Sequence, residues 1–563
     1  MSYLTKAISS IYGEQDDFII IGLTGRTGSG CTTAANLLTK NFSDIKNSLY
    51  KGSIPESNEQ RKEKIIQKRA QKTWAPFIHI QASTILTLEL AKSALKSEKD
   101  FSDFLKLHIE CSEESIAKAL AELEKAQFNP LNNSNDFVKK IFEEILPETN
   151  KKLSEILGKA NFVKIFQKIG KNIRGSGSPF SEEILSGKFT TVSEKIDAII
   201  KSIRKNSKST GLGKTYIVID AIRNPFEAAY FQDRYSSFYL IAVSCLDDER
   251  KKRLRLLGYS DNEIEKIDAA EHPEGLKLGT PLAYIAQDIP SCLQIADLHI
   301  NNKTTENIVS EFFHLANQLI RFVTLMRYPG TVTPTALERC MQIAHTAKLN
   351  SGCISRQVGA VVTDENFSVK CIGWNDTPKG QVPCNLRNRV DLEEGLDQSA
   401  YSDFEKKSIE FIEHITEKTI RLKNISTDTG RNLSFCFKSE YNKLKNSNNQ
   451  VFTRSLHAEE NAFLQITKYG GQAIEGGKLF TTASPCELCS KKAYQLGIKE
   501  IYYIDPYPGI AINHILMGGI QNPELILFSG AIGRAFHNLY TPKLSYKDEL
   551  DTLAENEPVT GHT

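Results

Sequence analysis

The chain has 563 residues and a formal net charge of only +2, with 40% hydrophobic and 25% charged residues. This length exceeds one ordinary domain, and the composition is typical of globular proteins, so we expect two or three domains. The small net charge gives no support to a nucleic-acid-binding or membrane-surface protein. The N-terminus lacks a signal-peptide pattern, and no apolar run approaches the roughly 18 residues of a membrane span. Eleven cysteines without a disulfide framework favour a reducing, cytoplasmic location.

The N-terminal half alternates predicted strands with helices. Phe18–Leu23 is a short, branched apolar run that indicates a buried strand. Residues 45–205 show helical spacing, interrupted by loop signals at Arg174–Pro179 and Asn206–Gly213, and predict a helical insertion. We therefore expect a doubly wound α/β domain over residues 1–327, whose later strands are Tyr216–Asp220, Phe238–Ser244 and Ala296–Ile300.

A second domain is predicted over residues 335–563, after a linker at Tyr328–Pro334. A variable, charged segment interrupts it at about residues 385–455. Its predicted helices are Thr335–Lys348, Ala458–Tyr469 and Glu487–Leu496, and its predicted strands are Val358–Thr363, Val369–Gly373, Lys478–Ala483, Glu500–Ile504 and Glu524–Phe528.

The strongest chemical signal is His457-Ala-Glu459 followed by Pro485-Cys486-Glu-Leu-Cys489. A catalytic zinc ion takes three protein ligands and leaves one position open for water. His457, Cys486 and Cys489 supply such a set, and the two cysteines share one face of a helix whose N-terminus favours thiolates. Alone, the Cys-x-x-Cys pair would also fit a redox pair, a structural zinc knuckle or two core thiols. The combined pattern favours catalytic zinc.

These motifs resemble the cytidine and deoxycytidylate deaminase family. Cys353–Val361 is similar to the first strand of that family and the residues before it, and Gly373-Trp-Asn375-Asp-Thr-Pro378-Lys-Gly380 is similar to its sugar-binding loop. The resemblance implies a mixed five-stranded sheet with helices on both faces. It also implies that Glu459 is the catalytic proton carrier and that Asn375 contacts the sugar, although Asn375 also fits a plain turn. Cys371, Cys384 and Cys436 would fit a second, structural zinc, but ordinary buried thiols are the preferred interpretation.

A glycine-rich motif follows the first predicted strand and precedes an apolar helix, as in a phosphate-binding loop (P-loop). Only the lysine of G-x-x-x-x-G-K-[ST] is missing, because Cys31 stands in its place. The sequence therefore predicts binding of a nucleotide such as ATP or GTP without efficient phosphoryl transfer. The predicted contacts are Gly25, Arg26, Thr27, Gly28, Ser29, Gly30, Cys31 and Thr32.

Further residues resemble parts of P-loop nucleotide kinases. Asp220 ends a strand as a Walker B acid does, and the following Arg223–Glu227 segment would face the phosphate site. Arg250, Arg253 and Arg255 have the spacing of a kinase lid, although a solvated helix face explains them equally well. Gly213-Lys-Thr215 precedes a strand rather than following one and is rejected as a second loop.

A degenerate P-loop domain followed by a deaminase resembles the bacterial anti-phage dCTP deaminases. That resemblance implies conversion of dCTP to dUTP and ammonia under control of the P-loop domain, an unknown phage-derived trigger, and a homo-oligomer. Three alternatives stay open: a dCMP deaminase of nucleotide metabolism, a polynucleotide deaminase, and a nucleotide-binding regulator whose deaminase site is only a scaffold.

Overall fold

The computed structural model describes residues 3–46, 49, 54–129, 133–209, 213–271, 280–303, 313–470, 473–505 and 511–555. The chain forms two compact units, Met1–Pro334 with Ser529–Thr563, and Thr335–Phe528. The boundary after Pro334 falls at the end of the predicted linker. The C-terminal segment Ser529–Thr563 differs from the sequence prediction, which placed it in the second domain. It belongs to the first unit because the strand Gly530–Ala531 pairs with Leu298–Asn301 and because Leu539 is buried in the core of that unit.

The first unit contains a six-stranded sheet built around the predicted first strand. Its parallel strands are β1 (Phe18–Thr24), β2 (Ile78–Gln81), β3 (Thr215–Asp220), β4 (Phe238–Ser244) and β5 (Leu298–Asn301), in the spatial order β5-β4-β1-β3-β2. The short strand Gly530–Ala531 pairs antiparallel with β5 at the edge.

Strand β1 is the centre of this sheet and is buried on both faces. Phe18 and Ile20 pack in one apolar core, whereas Ile19 and Ile21 pack in a second core. Because side chains alternate along a strand, helices must cover both faces, as expected for a parallel sheet. The carboxyl ends of β1 and its neighbour β3 lie side by side, which brings the glycine-rich loop close to Asp220.

Helices make up most of the rest of the first unit. A one-turn π-helix at Ile141–Ile145 joins two of them. They are α1 (Tyr3–Asp17), α2 (Cys31–Leu38), α3 (Phe42–Ile45), α4 (Asn58–Thr73), α5 (Ala82–Ala94), α6 (Glu98–His108), α7 (Glu113–Lys125), α8 (Asn135–Lys140), α9 (Leu146–Leu157), α10 (Lys159–Ser176), α11 (Thr191–Ser209), α12 (Pro225–Arg234), α13 (Asp247–Leu256), α14 (Asp261–Glu271), α15 (Pro281–Ile285), α16 (Ile289–Gln294) and α17 (Phe313–Arg327), and, after the second unit, Gly533–Tyr540 and Tyr546–Glu555.

Residues 45–205 are mainly helical, as predicted, but three details of this region and its end differ from the prediction. Strand β2 lies inside this segment and pairs with β3 at the sheet edge. The loop predicted from Arg174 begins later, because α10 continues to Ser176. Arg174 Nε donates to Glu227 Oε1 over 2.8 Å, and this buried ion pair holds the last helical turn until Gly177 ends it with a positive φ of 82°. The predicted loop at Asn206–Gly213 also begins as helix, since α11 extends to Ser209.

The second unit contains the mixed five-stranded sheet that the family resemblance implies. The strands are β6 (Gly359–Thr363), β7 (Val369–Trp374), β8 (Lys478–Ala483), β9 (Glu500–Asp505) and β10 (Glu524–Leu527), in the order β10-β9-β8-β6-β7. Strand β6 is antiparallel to both neighbours, and β8, β9 and β10 are parallel. Its helices are α18 (Ala336–Ala347), α19 (Arg389–Glu393), α20 (Asp403–Lys407), α21 (Ile409–Thr429), α22 (Phe437–Leu444), α23 (Ala458–Tyr469) and α24 (Glu487–Gln495), with a π-helix at Ala511–Leu516.

The charged segment at residues 385–455 is a folded helical insertion that contains its own small core. Phe411, Ile415 and Phe435 are buried there. Two buried ion pairs cross the insertion, Arg387 with Glu405 and Arg389 with Glu440. Among the described helices of either unit, none combines the length and the apolar character that crossing a membrane requires.

Candidate active site

The three predicted zinc ligands converge at the N-termini of two helices. His457 is the residue before α23, and Cys486 is the residue before α24, which places Cys489 in the first turn of α24. The His457 Nδ1 atom lies 3.2 Å from Cys486 Sγ and 3.4 Å from Cys489 Sγ. The three ligand atoms all lie within 4.8 Å of one another.

This donor set fits a tetrahedral zinc ion. Bond lengths of about 2.0 Å to nitrogen and 2.3 Å to sulfur place such atoms roughly 3.5 Å apart. Hydrogen bonds from Cys489 and His457 lower the pKa of Cys486 to about 3, so that this sulfur is a thiolate. The contact with Cys486, together with burial, raises the pKa of Cys489. We therefore expect zinc binding to release a proton from Cys489.

Glu459 lies two residues after His457, in the first turn of α23, and its side chain is buried. Its Oε1 atom is 3.2 Å from the Thr481 hydroxyl on β8. Burial raises the pKa of Glu459 above that of an ordinary glutamate. A carboxyl group with a raised pKa is suited to accept and then return a proton near neutral pH.

A cavity of about 130 Å³ connects Glu459 to His457 and Cys486. Asn375 and Arg356 also line it, and so do Lys438 and Gln450 of the insertion. Lys438 Nζ donates to Gln450 Oε1 over 2.7 Å. Sequence reasoning missed both of these residues, because they lie in a charged segment that carries no motif.

Asn375 faces the cavity but also holds the chain around it. Its Oδ1 accepts a hydrogen bond from Val358 N over 2.7 Å, and its Nδ2 donates to Arg356 O over 2.8 Å. The side chain thus fixes the segment that enters β6 and presents Arg356 to the cavity. Its contact with a sugar stays a prediction.

The glycine-rich loop of the first unit joins β1 to α2 around a separate cavity of about 420 Å³. Gly28 and Gly30 have positive backbone φ values of 89° and 109°, which residues other than glycine rarely adopt. A Cβ atom on Gly30 would lie 2.1 Å from Asn302 Nδ2. Thr32 Oγ1 donates to Asp220 Oδ2 over 2.7 Å. The motif residues and the predicted acid therefore meet at one end of the sheet.

The other predicted residues around this loop have different surroundings. Arg223 and Arg253 line the cavity, and buried Arg250 donates to the Thr27 carbonyl oxygen over 3.2 Å. Arg255 instead pairs with Asp261 at an exposed position and follows the solvated-face interpretation. The sequence did not single out Glu271, whose side chain reaches the same loop from α14.

The candidate second zinc cluster does not form among the described residues. Among the described residues, only His457, Cys486 and Cys489 form a group of three potential metal ligands. Cys371 and Cys384 are buried, and burial raises the pKa of both thiols. Their surroundings agree with the preferred interpretation as ordinary thiols.

Residues 334–505 match the model of the cytidine and deoxycytidylate deaminase zinc-binding region. This part of the chain is a deoxycytidylate-deaminase-type zinc-binding domain. The matched residues contain all three metal-binding candidates, Glu459 and Asn375. The domain also contains the helical insertion at residues 385–455 described above.

Two deoxycytidylate deaminases are similar to part of this chain at low identity. The deoxycytidylate deaminase of Enterobacteria phage T2 is 27% identical over 169 residues, which are 30% of this chain and 78% of the phage protein. The deoxycytidylate deaminase of Schizosaccharomyces pombe is 28% identical over 215 residues, 38% of this chain and 48% of the yeast protein. Among solved structures, the dCMP deaminase of cyanophage S-TIM5 in complex with dCMP and dUMP shares 24% identity, with 35% of this chain and 99% of that chain covered and a TM-score of 0.22.

Proposed function

We propose that the protein is a zinc-dependent deaminase that hydrolyses dCTP to dUTP and ammonia. The observation that carries the proposal is the shared cavity of His457, Cys486 and Glu459, in which a group of three candidate metal ligands lies beside a buried carboxyl group. Depletion of dCTP would deprive an infecting phage of a DNA precursor, which gives the proposed biological role in anti-phage defence.

The residues of the cavity divide the proposed reaction between them. His457, Cys486 and Cys489 would hold zinc, and zinc bound in such a site supplies water as a nucleophile near neutral pH. Glu459 would take one proton from the attacking water and deliver it to the cytosine ring nitrogen, and it would then carry the second proton of that water to the amine that leaves from C4. Water is consumed, ammonia leaves, and a carbonyl group replaces the amine. Asn375 keeps the Arg356–Val358 segment in place along the substrate.

Lys438 supports a substrate with several phosphates. It brings a cation from the insertion to the rim of the cavity, where Arg356 supplies a second. Arg356 already pairs with the carboxylate of Asp505, whereas Lys438 donates to the neutral amide of Gln450. Lys438 is therefore the cation that the described residues neutralise less. Added phosphates would gain from such a charge.

The alternative substrate is dCMP, which the names of the phage and yeast relatives favour. Turnover of dCMP, dCDP and dCTP by the full-length protein separates the two proposals. We expect the highest kcat/KM with dCTP; equal or higher kcat/KM with dCMP would reverse the assignment. Deamination of a single-stranded oligonucleotide would instead support the polynucleotide alternative.

The glycine-rich loop is proposed to bind a nucleotide that controls the deaminase. Gly30→Ala tests this role, because its new Cβ atom would collide with Asn302 Nδ2 and because alanine disfavours the observed φ. We expect Gly30→Ala to remove any effect of added ATP or GTP on dCTP turnover. An unchanged response would contradict control through this loop.

The defence role has its own test in a bacterial host that expresses the protein. We expect protection against phage to disappear in Glu459→Ala, together with the loss of dCTP during infection. Retained protection in that variant would favour the nucleotide-binding regulator, whose deaminase site is only a scaffold.

A further inference from the structure

A carboxylate of the chain itself lies on the glycine-rich loop. Both Glu271 carboxylate oxygens are 3.1 Å from the Thr27 backbone nitrogen, and one of them also accepts from the Thr27 hydroxyl. The Glu271 side chain is 0% exposed at the end of α14. Backbone N–H groups of such loops are the usual donors to phosphate oxygens. Glu271 therefore occupies an anion position of the loop.

Arg223 supplies the cation at this position. Its Nη1 atom contacts the Glu271 carboxylate and lies 2.9 Å from Thr27 Oγ1. The motif's lysine position holds Cys31, and burial raises the pKa of that thiol to about 12, so that it carries no charge. Arg26 is held by Asp247 and Asp268, each at 2.8 Å. Arg223 is thus the cation that faces the anion bound at Thr27.

Asp220 gives an independent indication that the cavity takes a ligand. It is 2% exposed and lines the cavity beside Thr32. Its Oδ2 atom accepts from Thr32, but its buried Oδ1 atom has no hydrogen-bond partner among the described residues. A buried carboxylate oxygen without a partner is costly unless a ligand, ion or water satisfies it. The cavity of about 420 Å³ is large enough for the phosphates of a nucleotide.

We propose that Glu271 is an internal substitute for phosphate, and that a polyphosphate ligand must displace it from Thr27 and Arg223 in order to bind. This proposal rests on nucleotide binding at the loop, as proposed above, and adds its control. Two anions cannot share one N–H group and one guanidinium group at close range, because like charges repel strongly in a buried site. Binding therefore moves the end of α14, and the cost of that movement lowers the affinity of the loop.

The test is the affinity of the full-length protein for inorganic tripolyphosphate and for ATP, measured by isothermal titration calorimetry with and without Mg²⁺. Neither probe contains cytosine, so neither is a substrate for deamination. Glu271→Gln removes the competing charge, and we expect roughly 10- to 100-fold tighter binding, the usual size of a coupling between two ligands. Arg223→Gln should weaken binding by a similar factor, and Arg223→Lys should restore part of it. Glu265→Gln, exposed on the same helix, is the control and should change nothing.

Unchanged or weaker tripolyphosphate binding by a folded Glu271→Gln variant would overturn the proposal, and so would unchanged binding by Arg223→Gln. If Glu271→Gln does not fold, hydrogen exchange of the wild type decides: tripolyphosphate should increase exchange of the α14 amides, and unchanged or slower exchange contradicts displacement. Equal affinity for tripolyphosphate and ATP would show that the site recognises only the phosphates, whereas tighter binding of ATP would show that it also recognises the nucleoside. Both results agree with displacement of Glu271. The substrate assignment is tested separately by dCTP and dCMP turnover, so either proposal can fail without the other.

Discussion

Glu459 supplies the only carboxylate among the described residues that line the deaminase cavity. Glu459→Gln preserves the shape of the side chain but removes its ability to carry a proton. We expect kcat to fall by about 100- to 10 000-fold, the range of general acid–base catalysis. Ammonia release measures the loss, and metal analysis should find zinc content unchanged.

Glu460→Gln is the matched control for this prediction. Glu460 is the next residue of α23 but pairs with Lys492 instead of facing the cavity. It should retain most of the activity. A Glu459→Gln variant with near-normal turnover would remove Glu459 from the proposed chemistry.

Lys438 is the residue on which the phosphate preference can be tested. Lys438→Gln removes the cation that the insertion brings to the cavity. We expect KM to rise about tenfold for dCTP and less for dCMP, because the triphosphate carries more negative charge and is therefore attracted more strongly by the lysine. Steady-state kinetics with both substrates measures the ratio. Lys445→Gln, an exposed lysine paired with Glu410, is the control. An equal rise in KM for both substrates would show that Lys438 does not discriminate between a monophosphate and a triphosphate.

At the level of elements, the insertion at residues 385–455 depends on a buried ion pair. Arg389 Nη2 donates to Glu440 Oε1 over 2.7 Å, and both side chains are almost fully buried. Burial alone would raise the pKa of Glu440, but the hydrogen bond and charge of Arg389, with Lys418 nearby, lower it to about 2. The carboxylate form therefore stabilises the folded insertion.

Glu440→Gln should destabilise the second unit by about 3–5 kcal/mol at pH 7, because it leaves Arg389 buried without its anion. The native pKa of about 2 lies below the ordinary value of the unfolded chain. The contribution is therefore complete above about pH 5 and decreases as the pH falls towards 2. Urea unfolding of wild type and variant from pH 7 to pH 3 should show a narrowing difference. A constant difference would mean that the Glu440 charge does not account for the effect.

The elements also show which features could be predicted from the sequence. Strand β1, the glycine-rich loop and the helices that start at His457 and Cys486 carry local signals, namely apolar runs, turn residues and metal-ligand spacing. Strand β2 has only four residues and lies among helices, so its pairing with β3 is a tertiary effect. Glu271 reaches Thr27 across a separation of 244 residues, and no local pattern indicates that contact. The insertion hides its core because charged residues dominate its sequence.

At the scale of the whole molecule, the C-terminal segment completes the first unit. Leu539 is fully buried in the same core as residues of β1 and α17. Leu539→Ala should destabilise the first unit by about 2–5 kcal/mol through loss of apolar contact and the cavity left behind. Hydrogen exchange should become faster in β1 and α17 but not in β8 or β9. The exposed Leu550, changed to alanine, serves as the control, and faster exchange confined to the second unit would contradict the assignment of the C-terminal segment.

The chain returns to the first sheet only after the second unit, so translation completes the second unit before the first. The edge strand Gly530–Ala531 and Leu539 emerge only after all of Thr335–Phe528 has been translated. At about 5–20 residues per second, that interval lasts roughly 10–40 s. During synthesis the second unit is therefore fully translated before the core of the first unit can close, and a message cut short near residue 528 would yield a complete second unit attached to an incomplete first unit.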